Sequence, residues 1–436
     1  MTTVYENQIP IYAQPQAPRR IRSSAKFWIL AMLFFGALLI SRVLLWRLGV
    51  SVPQRILSAS ISVTSMFCLY LGYRSLKKNH RLRPNSSFKT KIIIFNIAIA
   101  AAFGIGIFRQ NEVSIIFKEL VFFGFLSLNI LVWRYDEVWT WVRKPTIILF
   151  YGGIFLIALT YNMPGLVTSF DGSHEQSSIG YRTINTVGFS LRPITILGLF
   201  LTAHGLANKS KSDIWGYLEI GSIIGYLFAN LYIFSFRGSL GSVVLLVLPF
   251  LVFTKKVSAK FVLGVLALLI LLGTGWYFMD GTDSYHRLVS RFSDNDLFAE
   301  RILESTGFFS DLEYDVLIGR GLGGYYQNPW NGDDGWRANH IGFLGFVLRG
   351  GVTMLVIFLT FFMSFNFLQN RKWFENEQNL AAFLMAPWII GTITLNPIGF
   401  SPDSLFAAMV YGFCLARLNV VAPRSSGPQN NQFLRR

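Results

Sequence analysis

The sequence predicts an all-α, polytopic membrane protein with about twelve transmembrane helices. Three observations carry that prediction. Hydrophobic residues make up 52% of the chain and charged residues only 14%, whereas a soluble domain carries roughly a quarter charged residues. The mean hydropathy is +0.45. The apolar residues also gather into runs of about 20, the length a helix needs to cross a hydrocarbon core ~30 Å thick.

In chain order the runs lie at 27–46, 54–73, 91–108, 113–133, 145–161, 190–207, 214–235, 239–254, 259–279, 340–364, 380–396 and 403–421. The first follows a polar, Pro-containing segment and the cluster Arg19, Arg20, Arg22 and Lys26. That pattern predicts a retained signal-anchor helix with its N-terminus in the cytoplasm. From there every second connection should be cytoplasmic, and each of these carries Lys or Arg: "RSLKKNHRLRPNSSFKTK", "RYDEVWTWVRK", "NKSKSD", "TKKVSAK", "NRKWFENEQN" and the tail ending "FLRR". The remaining connections are short or poor in basic residues, apart from two long ones at 162–190 and 280–339. Long loops escape the charge rule.

The expected organisation is therefore a cytoplasmic N-terminal tail (1–26) and a first group of membrane helices (27–279) that includes the outer loop 162–190. A long outer loop (280–339), a last group of membrane helices (340–421) and a cytoplasmic tail (422–436) complete it. No internal repeat of fixed period is present, which gives no support to a repeat-built transporter.

The formal charge of +16 sits in the short clusters between apolar runs, and no basic, aromatic-interleaved face exists outside them. The expected partner is the lipid bilayer, not nucleic acid. Cys68 and Cys414 lie within apolar runs and read as small hydrophobes, with neither a disulfide framework nor a metal site expected.

The long outer loop has content of its own. In "SDNDLFAERILESTGFFSDL", Ser293, Asp294 and Asp296 suit a helix N-terminus. Leu297, Phe298, Ile302, Leu303, Phe308 and Phe309 then make a partly amphipathic helix suited to the membrane surface. "GRGLGG" follows as a flexible turn, and "YYQNPWNGDDGW" supplies amphipathic rings. Trp330, Trp336, Tyr325 and Tyr326 are candidates for stacking on sugars, with anchoring at the interface as the alternative.

Of five histidines, only His340 stands where a helix begins beneath this loop. A histidine there serves as an interfacial or capping residue or as a general base. Arg182, Arg192, Arg237, Arg320 and Arg337 are expected on the same outer face. Guanidinium groups at helix ends commonly snorkel to headgroups. A set of them beside a histidine also suits a lipid-linked diphosphate, whose departure needs charge stabilisation. The histidine would then take the proton of an attacking sugar hydroxyl.

Other chemistries fit less well. No strand precedes "GRGLGG", so a turn is favoured over a phosphate-binding loop. "NGDDG" lacks the spacing and the closing Glu of a calcium loop. Lys118, Glu119, Glu219 and Arg349 are charges within apolar runs and invite a proton-coupled transporter reading. Arg349 either lines a water-filled cavity below His340 or pairs with an acid.

"FRGSLGSVVLLVLPFLVF", "LIGRGLGGYY" and "HIGFLGFVLRGG" resemble, in order and spacing, three motifs of the O-antigen ligase and polymerase superfamily, over roughly Asp171 to Phe362. The resemblance implies a metal-independent membrane glycosyltransferase fold of the GT-C-like kind in the bacterial inner membrane, working without a cofactor. It makes His340 the catalytic histidine and Arg237 a diphosphate contact. Outer arginines such as Arg182 and Arg192 join the lipid-diphosphate site, and the residues' own placement adds Arg320, Arg337, Trp336 and Tyr325 as expected substrate contacts. Undecaprenyl-diphosphate glycans are the implied substrates, and a chain-length regulator or an export complex is a further candidate partner. Ile341 stands where ligases have Asn, Ser or Gln, which favours a repeat-unit polymerase. Arg301 lacks the accompanying Trp, and Arg349 replaces a common acid.

Overall fold

The computed structural model of the protein describes residues 54–79, 86–162, 194, 197–205, 213–233, 243, 289, 296–327, 342–362, 398–399 and 402–418. These are 87% helical, in keeping with the all-α expectation. The helices are α1 (Gln54–Asn79), α2 (Ser86–Phe108), α3 (Val113–Trp133), α4 (Asp136–Asn162), α5 (Ile214–Leu227), α6 (Asp296–Leu312), α7 (Asp315–Ile318), α8 (Leu344–Phe362) and α9 (Pro402–Leu418). Three segments, Phe88–Phe108, Val113–Trp133 and Leu344–Phe361, are long and apolar enough to cross a membrane. The protein is thus a helical membrane protein. The runs at 27–46, 239–254 (apart from residue 243), 259–279 and 380–396 lie outside the described residues.

α3 is the central helix. Its buried residues Ile116, Glu119, Phe123, Leu126, Ile130 and Trp133 recur at three- and four-residue spacing, so the buried face winds along its whole length. α1, α2 and α9 pack around it. The approach of α9 is close because Gly412 lacks a side chain: a Cβ there would stand 2.4 Å from the Asn129 Cβ. Asn129 is satisfied within α3, donating to the Phe125 carbonyl at 2.8 Å and accepting from the Trp133 indole at 2.9 Å. Elsewhere α2 exposes Ile93, Ile94 and Ile97, as a lipid-facing helix does.

Two elements differ from their sequence-based expectation. α4 begins at Asp136, nine residues before the span read at 145–161, and runs through Pro145. At 27 residues it is ~40 Å long, more than a hydrocarbon core requires. The second difference is larger. The run 340–364 reads as one straight crossing, but α8 breaks at Gly350 (φ −137°, ψ 18°) and Gly351 (φ 68°, ψ −174°). In a straight helix Phe346 and Phe358 would lie about 18 Å apart along the axis. Their rings instead stack with centroids 4.1 Å apart, so the two arms fold toward one another.

The first arm runs antiparallel to α3, because Arg349 meets Glu119 while Phe346 meets Phe123. The second arm returns, placing Phe361 against Phe95 of α2. The cause is the tandem glycine. Gly351 adopts a left-handed φ that a side chain disfavours, and a Cβ there would stand 2.1 Å from the Leu317 carbonyl oxygen.

Candidate functional site

The break in α8 frees backbone carbonyls that cannot stay unpaired away from water. The segment after α7 supplies their donors. Arg320 N–H donates to the Leu348 carbonyl at 2.7 Å, and Gly321 N–H to the Arg349 carbonyl at 3.1 Å. The same turn reaches α2, where Leu322 N–H donates to the Ala102 carbonyl at 2.9 Å. Asn111, just past α2, donates its side-chain amide to the carbonyls of Arg320 (2.9 Å) and Leu322 (2.8 Å). This approach needs a glycine on each side: a Cβ on Gly321 would stand 2.2 Å from the Gly106 nitrogen. The sequence reading of Gly319–Gly324 as a flexible turn is therefore corrected. Gly321 through Gly324 are buried and Leu322 is fully enclosed.

Beneath the turn lies a buried ion pair. The Arg349 guanidinium donates from Nε to Glu119 Oε1 at 3.1 Å, and its Nη2 donates to the same oxygen. Glu119 Oε2 accepts the Gly323 backbone N–H at 2.7 Å. Arg349 and Glu119 are 1% and 3% exposed. Of the two expectations for Arg349, pairing with an acid is the one observed. One carboxylate thus ties α3, the glycine turn and the first arm of α8 together. Removing one partner of such a pair costs about 3–5 kcal/mol, because the other charge is left buried.

Above the turn, Arg320 is held by its own chain. Its Nε donates to Asp315 Oδ2 at 3.2 Å, and Nη1 donates to Asp311 Oδ2 at 2.7 Å and to the Tyr325 carbonyl at 2.8 Å. Nη2 donates to the Asp311 carbonyl. With four of its five donors so engaged, Arg320 fits a positioning role better than the diphosphate contact expected of it. Arg109 adds a two-pronged ion pair to Asp315, with Nη1 to Oδ2 at 2.8 Å and Nη2 to Oδ1. Burial alone would raise the Asp315 carboxyl, but hydrogen bonds from Arg109 and Arg320 outweigh it and hold the group below its ordinary range.

Tyr325 and Tyr326 part company here. The Tyr325 side chain is exposed, whereas Tyr326 is fully buried. The Tyr326 ring meets Phe308 edge-on at 5.0 Å and its hydroxyl donates to the buried Glu304 at 2.9 Å. Tyr326 is therefore a core residue and not a sugar platform. Arg182, Arg192, Arg237, Trp336, Arg337 and His340 lie outside the described residues, as does Trp330.

Sequence reasoning did not single out Arg109, Asn111, Asp311 and Asp315. The signal was present in Asp311 and Asp315, four residues apart and followed by Arg320, but Arg109, the second partner of Asp315, is 206 residues away.

A second polar cluster sits at the other end of α3. Arg143 of α4 donates from Nε to Glu219 Oε1 at 2.8 Å and from Nη1 to Asp213 Oδ2 at 3.3 Å. Nδ1 of His204 lies 3.3 Å from Glu219 Oε1. The His204 ring packs on Trp139 at 4.4 Å, beside Phe200 and Phe413. Asp213 also caps α5, accepting from the Trp215 N–H at 3.2 Å. The expected topology places the loops 109–112 and 280–339 on one side and 134–144 and 208–213 on the other. The structure brings together residues of each pair. No protein-family model matches the chain, and no curated protein matches it.

Proposed function

We propose that the protein is a membrane glycosyltransferase of the polymerase kind, acting on undecaprenyl-diphosphate-linked oligosaccharide repeat units at the periplasmic face of a bacterial inner membrane. One observation carries the reading. The glycine turn of "LIGRGLGGYY" docks into the break of the helix that follows His340, through Arg320 N–H to Leu348 and Gly321 N–H to Arg349. Two of the three segments on which the resemblance rests are thus built against each other. About twelve spans in a GT-C-like arrangement, with both termini cytoplasmic, belong to the same proposal.

In this reading the growing glycan leaves undecaprenyl diphosphate and is transferred to the non-reducing sugar of an incoming lipid-linked repeat. His340 takes the proton of the attacking hydroxyl. Arg237, with Arg182, Arg192 and Arg337, stabilises the diphosphate as it departs. Trp336 and the exposed Tyr325 supply surfaces for sugar rings. Arg320 and the Glu119–Arg349 pair act one layer away, by fixing the turn and the helix between which the reacting segment is strung.

The test uses the full protein in liposomes with one undecaprenyl-diphosphate repeat unit. A product ladder that is lost in His340→Ala, with substrate binding retained, supports the polymerase. A ladder that survives in His340→Ala removes the histidine from the chemistry. Product formed only after a second acceptor lipid is added assigns a ligase.

The buried pair of Arg349 with Glu119 and the part-buried pair of Arg143 with Glu219 favour a second reading, a flippase or exporter of the same lipid-linked glycan. Movement of substrate across the bilayer without any covalent product would establish it and reject the enzyme.

A further inference from the structure

The polarity of α6 and α7 is inverted relative to a water-facing helix pair. Among the described side chains, the carboxylates of these two helices point inward. Glu304 accepts from the Tyr326 hydroxyl, Asp311 accepts from Arg320 and from the Gln327 N–H at 3.1 Å, and Asp315 accepts from Arg109 and Arg320. Phe308 and Leu312 pack inward, while Ile302, Leu303, Phe309, Leu317 and Ile318, with Tyr314 between the two helices, are exposed. Thr306 and Ser310 complete that surface, and among the described side chains from 302 to 318 the only exposed charge is Glu313. Glu313 sits at the turn between the two helices, with a positive φ of 44°.

We propose that this outward face is immersed in lipid, with α6 and α7 lying in the outer rim of the bilayer against acyl chains. Water would select the opposite arrangement, because solvating buried carboxylates and covering apolar side chains both lower the free energy of a helix in water. In hydrocarbon, an outward apolar face and inward, paired acids are the stable choice.

Two further observations point to lipid in preference to a second protein. The face adjoins further exposed apolar side chains, Ile107 and Phe108 at the end of α2 and Val113 and Phe117 at the start of α3, which stand among the exposed Arg109, Gln110, Glu112 and Lys118 as at a membrane rim, and the Arg109–Asp315 ion pair ties α7 to that junction. Depth agrees as well. Leu322 bonds Ala102, six residues or ~9 Å below the end of α2, and Gly323 bonds Glu119, a similar distance into α3. The chain leaving α7 is therefore already inside the span of these helices, and α7 stands at their rim.

The test places single nitroxide-labelled cysteines in full-length protein whose Cys68 and Cys414 are replaced by Ala, reconstituted one copy per lipid nanodisc. Labels at positions 302, 309 and 317 are compared with a lipid-facing control at 97 and a turn control at 327. Collision with molecular oxygen and with a polar nickel chelate is then measured. The expected result is an oxygen-to-nickel ratio at 302, 309 and 317 several-fold above that at 327 and close to that at 97. A ratio equal to that at 327 would place the face in water and overturn the proposal. Exclusion of both reagents at all three positions would mean that protein covers the face, which also overturns it. Retained oxygen access at 97 shows in every case that α2 is inserted in the bilayer.

Discussion

Two donors of Arg349 converge on a single oxygen of Glu119, leaving the other oxygen to the backbone of Gly323. The residues of this ion pair stand 230 positions apart, and both are almost fully buried. The first prediction follows from that geometry. Glu119→Gln leaves the guanidinium without its charge and is expected to cost about 3–5 kcal/mol. The double replacement Glu119→Leu with Arg349→Met should recover much of the loss, since apolar substitutes for a buried pair are often tolerated. Thermal unfolding of the purified protein in detergent reads both. Single and double variants of equal stability would show that the pair is not what holds α3 to α8.

The break in α8 gives a steric prediction with its own control. A Cβ on Gly351 would enter the Leu317 carbonyl at 2.1 Å and would have to adopt a φ of 68°. Gly351→Ala should therefore cost at least about 2 kcal/mol. Gly104→Ala, also in a membrane helix, meets nothing within 4 Å and should be neutral or slightly stabilising. Folded yield and melting temperature of the two variants make the comparison.

Arg320 is predicted to be sensitive to the shape of its head group and not to its charge alone. Its planar fork serves Asp311, Asp315 and the Tyr325 carbonyl at once, which a lysine ammonium does not reproduce. Arg320→Lys should speed amide hydrogen exchange at Gln327, whose N–H is bonded to Asp311, while exchange in the middle of α3 stays unchanged. Unaltered exchange at Gln327 would mean that the charge is sufficient.

Asp315 sets the direction of a pH effect. Its folded carboxyl lies below the ordinary value of 3.8. The stability it contributes is therefore fully present above the unfolded value and is lost as pH falls through the lower folded one. With its side chain 20% exposed and that of Arg109 34% exposed, the contribution is at most about 1 kcal/mol. Melting temperature should fall as the pH drops below the ordinary carboxylate range, and Asp315→Asn should flatten that part of the curve. An identical acid slope in the variant would assign the loss to other carboxylates.

How far these features could be read in advance depended on the range of the interaction behind each. The limits of α3 were legible to the residue, because Val113 and Trp133 bound an apolar run closed on both sides by charged or polar residues. The helical nature of α6 was legible from Ser293, Asp294 and Asp296, residue types suited to a helix N-terminus. Its outward face was only partly so, since Phe308 is buried while Phe309 is exposed, and a choice between neighbours depends on what packs there. The break in α8 was written as Gly350–Gly351 but was hidden by strong hydropathy on either side. What decides it is the turn at Gly319–Gly324, thirty residues earlier, which supplies donors to the freed carbonyls. Arg109, Asn111 and Glu119 each answer partners more than 200 residues distant. Periodicity within a short window carries no trace of such pairings.

The long separation of Glu119 from Arg349 bears on how the chain is made. At roughly 5–20 residues per second, the ribosome delivers Arg349 about 10–50 s after Glu119. For that time α3 holds an acid with no counter-ion, and hydrocarbon is costly for it. Its place in the helix eases this, since Glu119 lies only six residues, ~9 Å, from the start at Val113, within reach of water at the membrane edge. Closure of the bundle then waits for the glycine turn and the first arm of α8, which arrive almost together. The last step of assembly is therefore expected to be the withdrawal of this carboxylate from water into its ion pair, so truncation before residue 349 should leave α3 inserted but unlatched.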